Sequence, residues 1–145
     1  MKINVIAVGK LKEKYWTDAI AEYKKRISRY ADFEIIELAQ GRNLEEEGKE
    51  ILKKLSGYVI VTDIGGKMLT SEEYAKIFAD KLTNGISEFC IVIGSSEGLC
   101  DKVKERADLK MSFGKVTYPH QLMRVIIAEQ TYRAMAINNN ITYHK

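Results

Sequence analysis

Apolar residues recur along the chain in two alternating rhythms. Residues 3 to 8, INVIAV, form a near-continuous apolar run ended by Gly9, which predicts a strand covered on both faces and central in its sheet. After the basic turn KLKEKY the spacing changes, and Ala19, Ile20, Tyr23, Ile27 and Tyr30 share one face of a helix from about Thr17 to Tyr30. The strand rhythm returns in FEIIEL (33–38), YVIVTD (58–63) and FCIVI (89–93), and the alternation of Leu109, Met111 and Phe113 predicts a half-buried strand. Capping signals mark helix starts between them. Asn43 with Glu46 opens a helix ending near Leu55, whose Glu45–Glu47 run suits a helix N-terminus; Thr70 with Glu73 opens another that turns Tyr74, Ile77, Phe78 and Leu82 inward. IGGKML (64–69) reads as a loop and Leu99 to about Ala107 as a short helix. Strand and helix alternate five times, which predicts a single α/β domain over residues 1–145, a mostly parallel sheet with helices on both faces.

The chain's one proline, Pro119, sits where the last strand gives way to the last helix, and proline suits the first helical position because its missing N–H would have no partner there. The following HQLMRVIIAEQTYRAMAI has no breaker before the asparagines at 138–140. Its apolar residues cover well over half the circumference, more than one sheet face would use, so part of that surface is expected to meet the same helix of a second chain. His120 and Arg124 lie one turn apart on the narrow polar strip. Glu129 and Arg133, also four apart, project into the apolar surface and must pair with each other or across chains.

Composition narrows the class. With 46% hydrophobic and 30% charged residues the chain has the balance of a soluble globular domain. The apolar runs are too short for a membrane span, the N-terminus lacks a signal-peptide core, and a cytoplasmic protein is expected. Cys90 and Cys100 lack metal or redox spacing, and with only His120 and His144 besides, no metal site is expected. The net charge of +3 is unevenly spread: residues 1–30 hold eight Lys/Arg against three Asp/Glu, 102–145 hold eight against three, and 31–101 hold seven against fourteen. If the basic ends meet, they form a patch suited to a polyanion such as RNA; otherwise Lys10, Lys12, Lys14, Lys24, Lys25 and Arg26 are a solvated surface.

Ligands of open α/β sheets bind at the carboxyl ends of the strands. Here those ends carry GKLKEKYW, TDIGGKML, GSSEGL and GKVTYPH, with neither a G-x-G-x-x-G nor a P-loop. Glycine loops beside Ile64, Leu99 and Tyr118 would suit a flat, hydrogen-bonding ligand held by main-chain groups, an adenosine being a natural candidate. The tail Thr142, Tyr143, His144, Lys145 adds a further polar set.

The segments KINVIAVGKLKEKYW, IGGKMLTSEEYA, IGSSEGL, SFGKVTYPHQLMRVIIAEQTYRA and the terminal YHK resemble, in order and from end to end, the RlmH family of ribosomal RNA methyltransferases. The resemblance implies a SPOUT-type α/β domain with a C-terminal trefoil knot, a homodimer, and transfer of the methyl group of S-adenosylmethionine to N3 of a pseudouridine in 23S ribosomal RNA. The implied substrate is a stem-loop at the subunit bridge of the assembled ribosome. By motif match the cofactor positions are Thr62, Gly94 and the run Phe113, Gly114, Lys115, Val116, Thr117, Tyr118. Thr62 stands where the related pattern often has leucine, and Ser95 replaces a frequent second glycine. The reaction needs alignment and removal of a weakly acidic imide proton. His120, His144 or a bound water could take that proton, Arg124 or Arg133 could stabilise the anionic base, and Tyr143 to Lys145 of a partner chain would reach over the cofactor. The alternatives are a SPOUT-fold methyltransferase acting on a small or protein substrate, and a non-catalytic ribosome- or RNA-binding protein.

Overall fold

Five strands alternate with five helices along the chain, all 145 residues of which are described by the computed structural model. The strands β1 (Lys2–Val8), β2 (Asp32–Leu38), β3 (Tyr58–Met68), β4 (Glu88–Ile93) and β5 (Leu109–Ser112) lie in the order β2-β1-β4-β3-β5, and every neighbouring pair is parallel. The unbroken apolar runs fall on β1 and β4, which have strands on either side and are buried from Ile3 to Val8 and from Phe89 to Ile93.

Because successive strand residues point to opposite faces, the sheet feeds two cores. Ile3, Val5, Phe89 and Ile91 pack under α1 (Lys14–Ile27), α3 (Ser71–Thr83) and α5 (His120–Asn138). Ile6, Val8, Cys90 and Val92 pack under α2 (Leu44–Leu52) and α4 (Asp101–Arg106). Helix α5 lies in the middle of its layer, between α1 and α3. Those two helices and the sheet together account for the breadth of its apolar surface, so that breadth is not in itself a sign of a second chain.

Several boundaries differ from the sequence expectation. Helix α1 begins at Lys14, three residues early, behind an N-cap Glu13 whose side chain makes no capping bond. Strand β3 does not end before IGGKML. Its pairing with β5 breaks between Thr62 and Lys67 and resumes as Lys67 with Met111 and Met68 with Ser112, in a stretch largely exposed and so without apolar alternation. Pro119 is the N-cap of α5, with extended backbone (φ −56°, ψ 138°), rather than its first helical residue. Leu82 is 45% exposed rather than inward. Asn138, the last residue of α5, donates to the Ala75 carbonyl, so the final turn of α3 extends past the helix it would have packed on. Both capping residues behave as expected: Asn43 accepts from the Glu46 N–H, and Thr70 with Glu73 forms a reciprocal capping box.

Candidate active site

The carboxyl ends of β3, β4 and β5 meet around one cleft. Within β3, where its pairing with β5 is interrupted, the Thr62 hydroxyl donates to the Val92 carbonyl of β4 at 3.2 Å, which fixes its direction. After β4, residues 95–98 make a tight turn in which the Gly98 N–H donates to the Ser95 carbonyl at 2.9 Å. After β5, the Gly114 N–H donates to the Ser112 hydroxyl at 3.1 Å and turns the chain back toward Pro119. Gly98 (φ 91°) and Gly114 (φ 106°) hold left-handed conformations that a side chain would strain, and a Cβ on either would point into open space. Two adjoining cavities of about 420 and 480 Å³ fill the space between these turns and share Thr62, Ser95, Ser96, Thr117, Tyr118 and Met123.

Of the positions singled out from the sequence, Thr62, Gly94, Phe113, Gly114, Val116, Thr117 and Tyr118 all lie on the walls of these cavities. Lys115 does not; it is exposed beside them. At Gly94 a Cβ would lie 2.6 Å from the Gly98 carbonyl oxygen, so what the missing side chain makes room for is the chain's own turn rather than a ligand. The structure also brings in Ser96 and Met123, which lie within the GSSEGL and PHQLMRV stretches but are not among the positions singled out for the cofactor. Met123 was legible only as one more apolar residue of α5.

His120 lines the cleft at the start of α5. Its Nδ1 is buried without a hydrogen-bond partner, and burial, helped by the nearby Arg124 cation, pushes its pKa below the ordinary imidazole value. Arg124 is not on a surface strip: it is 0% exposed. One terminal nitrogen donates to Glu37 of β2 at 2.9 Å, and the other to the carbonyls of Val8 at 3.1 Å and Gly9 at 3.0 Å. Glu37, 87 residues away in sequence, could not have been foreseen as its partner.

Arg133, Tyr143 and His144 form a separate cluster toward the other end of α5. Glu129 accepts from the Arg133 guanidinium and from the Tyr143 hydroxyl at 3.1 Å. The remaining Arg133 nitrogen donates to His144 Nδ1 at 3.0 Å, and His144 Nε2 donates to Glu72 of α3 at 2.6 Å. Tyr143 packs edge-on against Tyr132, and burial together with Glu129 pushes its pKa up to about 12. Thirteen residues of helix separate His120 from Arg133, about 20 Å at 1.5 Å per residue, so one chain does not bring the two polar sets to a common point. No group of three or more His, Cys, Asp or Glu is placed to hold a metal ion, and no helix is long and apolar enough to cross a membrane.

The family model described as "Predicted SPOUT methyltransferase" matches residues 1–144. The ribosomal RNA large subunit methyltransferases H of Streptococcus pneumoniae strains CGSP14 and TIGR4 are 48% identical to this chain in alignments that cover 100% of both partners. A solved structure, that of a probable methylase family protein from Haemophilus influenzae Rd KW20, covers 99% of this chain and 70% of its own with a TM-score of 0.57 at 12% identity, which bears on the fold alone. The chain therefore belongs to the SPOUT methyltransferase family and, within it, to the RlmH group of large-subunit ribosomal RNA methyltransferases.

Proposed function

We propose that this protein transfers the methyl group of S-adenosylmethionine to N3 of a pseudouridine in 23S ribosomal RNA, at the subunit-bridge stem-loop of the assembled ribosome in the cytoplasm, and that it works as a homodimer. The observation that carries the reading is the cleft: three segments that the RlmH resemblance marks for cofactor binding converge there with His120 on the wall, in a chain 48% identical to ribosomal RNA methyltransferases over its full length.

The residues present fit S-adenosylmethionine. The two left-handed glycines leave the space beside them open, residues 94–98, 113, 114 and 116–118 line the cleft, and Ile64, Leu99 and Met123 would offer a flat ligand apolar contact. The bound cofactor would supply a methyl group already activated by its sulfonium, so the chain's own task is alignment and proton removal. Thr62, Gly94 and the Phe113–Tyr118 turn hold the cofactor. His120, kept neutral by burial and by Arg124, has a lone pair available at ordinary pH to accept the N3 proton.

The second polar set supports the dimer. Arg133, Tyr143 and His144 can reach a cleft only if it belongs to another copy, and Ile64 and Val116, each about two-thirds exposed on the cleft wall, offer apolar surface for that copy to cover. The trefoil knot belongs to the same reading: β5 lies at one edge of the sheet and α5 across its middle, and 113–119 bridges them beside the β3 and β4 turns.

Labelled S-adenosylmethionine offered with assembled ribosomes, naked ribosomal RNA and free nucleosides tests the proposal, with label expected at N3 of a 23S pseudouridine in ribosomes. Label in proteins or free nucleosides alone would point to the other substrate class, and no cofactor binding by calorimetry to a non-catalytic protein. Gly94→Val is expected to displace the 95–98 turn, cost about 1–3 kcal/mol of stability by overpacking and weaken cofactor binding, read by urea titration and calorimetry.

A further inference from the structure

Next to the cofactor cleft, sharing Ser95, Ser96 and His120 with it, lies a cavity of about 290 Å³ lined by the loop that follows β1. Its chemistry differs from that of the cleft. Val8 is the one apolar residue on its walls, and no Phe, Tyr or Trp lines it, so the His120 imidazole is the one ring there and the lining is otherwise polar. Lys10 and Lys12 face it with Gln40 and Gln121, and neither lysine takes part in an ion pair anywhere in the structure.

The loop carrying these lysines is held from below. Arg124, wholly enclosed, donates to the Val8 and Gly9 carbonyls at 3.1 and 3.0 Å and to Glu37 at 2.9 Å. The same Glu37 oxygen accepts the Leu11 N–H at 2.7 Å, and the Gly9 N–H donates to the Leu38 carbonyl at 2.8 Å. Backbone polar groups on either side of Lys10 are thus fixed by a buried cation and a carboxylate. A surface loop with no binding task has no need of such anchoring, whereas ammonium groups that must meet a ligand at a set place gain from it.

We propose that this cavity binds a backbone phosphodiester of the RNA next to the target nucleotide, with Lys10 and Lys12 as its cations and Arg124 as the positioning residue that presents them. The proposal rests on the reading of the protein as an RNA methyltransferase and adds the place where the substrate strand is gripped. It explains why Arg124, wholly enclosed and with both terminal nitrogens bonded to β2 and to the end of β1, does not reach a substrate base. Glu13, also on the cavity wall, opposes the two lysines and sets the sign of a further test.

Binding of ribosomes over a range of salt concentrations, alongside ribosome KM, kcat and calorimetric affinity for S-adenosylmethionine, tests it in the Lys10→Met/Lys12→Met double variant and in Glu13→Gln. The double variant is expected to bind ribosomes severalfold more weakly and raise KM by a like factor at unchanged kcat and cofactor affinity, with the log–log salt slope shallower by about one per lost phosphate contact. Glu13→Gln should move ribosome binding the opposite way. An unchanged salt slope in the double variant, or a fall in kcat at unchanged KM, would overturn the proposal. The binding measurement separates the two readings: wild-type protein that binds ribosomes with this lysine-dependent slope yet transfers no methyl would refute the activity and leave the phosphate site standing.

Discussion

Helix α5 carries two polar pairs at the same four-residue spacing, and the fold treats them in opposite ways. Glu129 and Arg133, which the helical period sets in the middle of the apolar surface, keep 18% and 24% of their side-chain surface in water and bond to each other and to the C-terminal tail. Arg124, which with His120 falls on the polar strip, is completely enclosed. The helical period tells which residues share a face but not which face is covered. The cover at Arg124 comes from the ends of β1 and β2, whose Val8 and Gly9 carbonyls and Glu37 carboxylate make burial of a guanidinium tolerable. Near Glu129 the cover is a short tail lying back over its own helix.

The largest expected effect is at Arg124. Replacing it by methionine keeps much of the volume but leaves two carbonyls and the loop anchor without their donor. The expected loss is roughly 3 kcal/mol, the lower end for a broken buried pair because Glu37 still reaches water. Urea denaturation would read it, and a cost no greater than that of a surface substitution would erase the distinction between the two pairs.

The pair at Glu129 is expected to matter less in a single chain. Glu129→Ala removes a partly exposed ion pair and the acceptor of the Tyr143 hydroxyl, for roughly 1 kcal/mol. If a second copy covers this face, the cost should rise toward about 3–5 kcal/mol and dimer content should fall with it. Sedimentation at several protein concentrations decides between these, and methyl transfer restored at high concentration would tie the loss to assembly. A variant that stays dimeric and inactive would give Glu129 a direct part in the chemistry.

What could be read from the chain beforehand follows the same division. The continuous apolar runs of β1 and β4 and the capping residues Asn43 and Thr70 are local signals with one structural meaning, and they located the sheet interior and two helix starts. The continuation of β3 through Gly65 and Gly66 had no such signal, because its pairing with β5 is main-chain hydrogen bonding by exposed residues. The turns at 94–98 and 113–118 were visible as glycine loops after strands. The cavity under Lys10 and Lys12 was not, since it depends on Arg124 meeting Glu37 across most of the chain.

The smallest effect expected at the buried pair is its dependence on pH, and it comes from His120. Burial, and secondarily the Arg124 cation one turn on, hold its folded pKa below the unfolded imidazole value of about 6.5. Between those two values the unfolded chain binds the proton that the folded chain refuses, so stability rises with pH there. The contribution is therefore present above about pH 6.5 and is lost as pH falls through the folded pKa. Denaturation across pH 5 to 8 in wild type and His120→Gln reads the effect: the wild type should show the acid-side loss and the variant should lack that component. If both lose stability in parallel, the titrating group lies elsewhere. The neutral imidazole proposed as proton acceptor would then need independent support from the pH dependence of methyl transfer, whose acid limb should lie below the ordinary histidine range and disappear in the same variant.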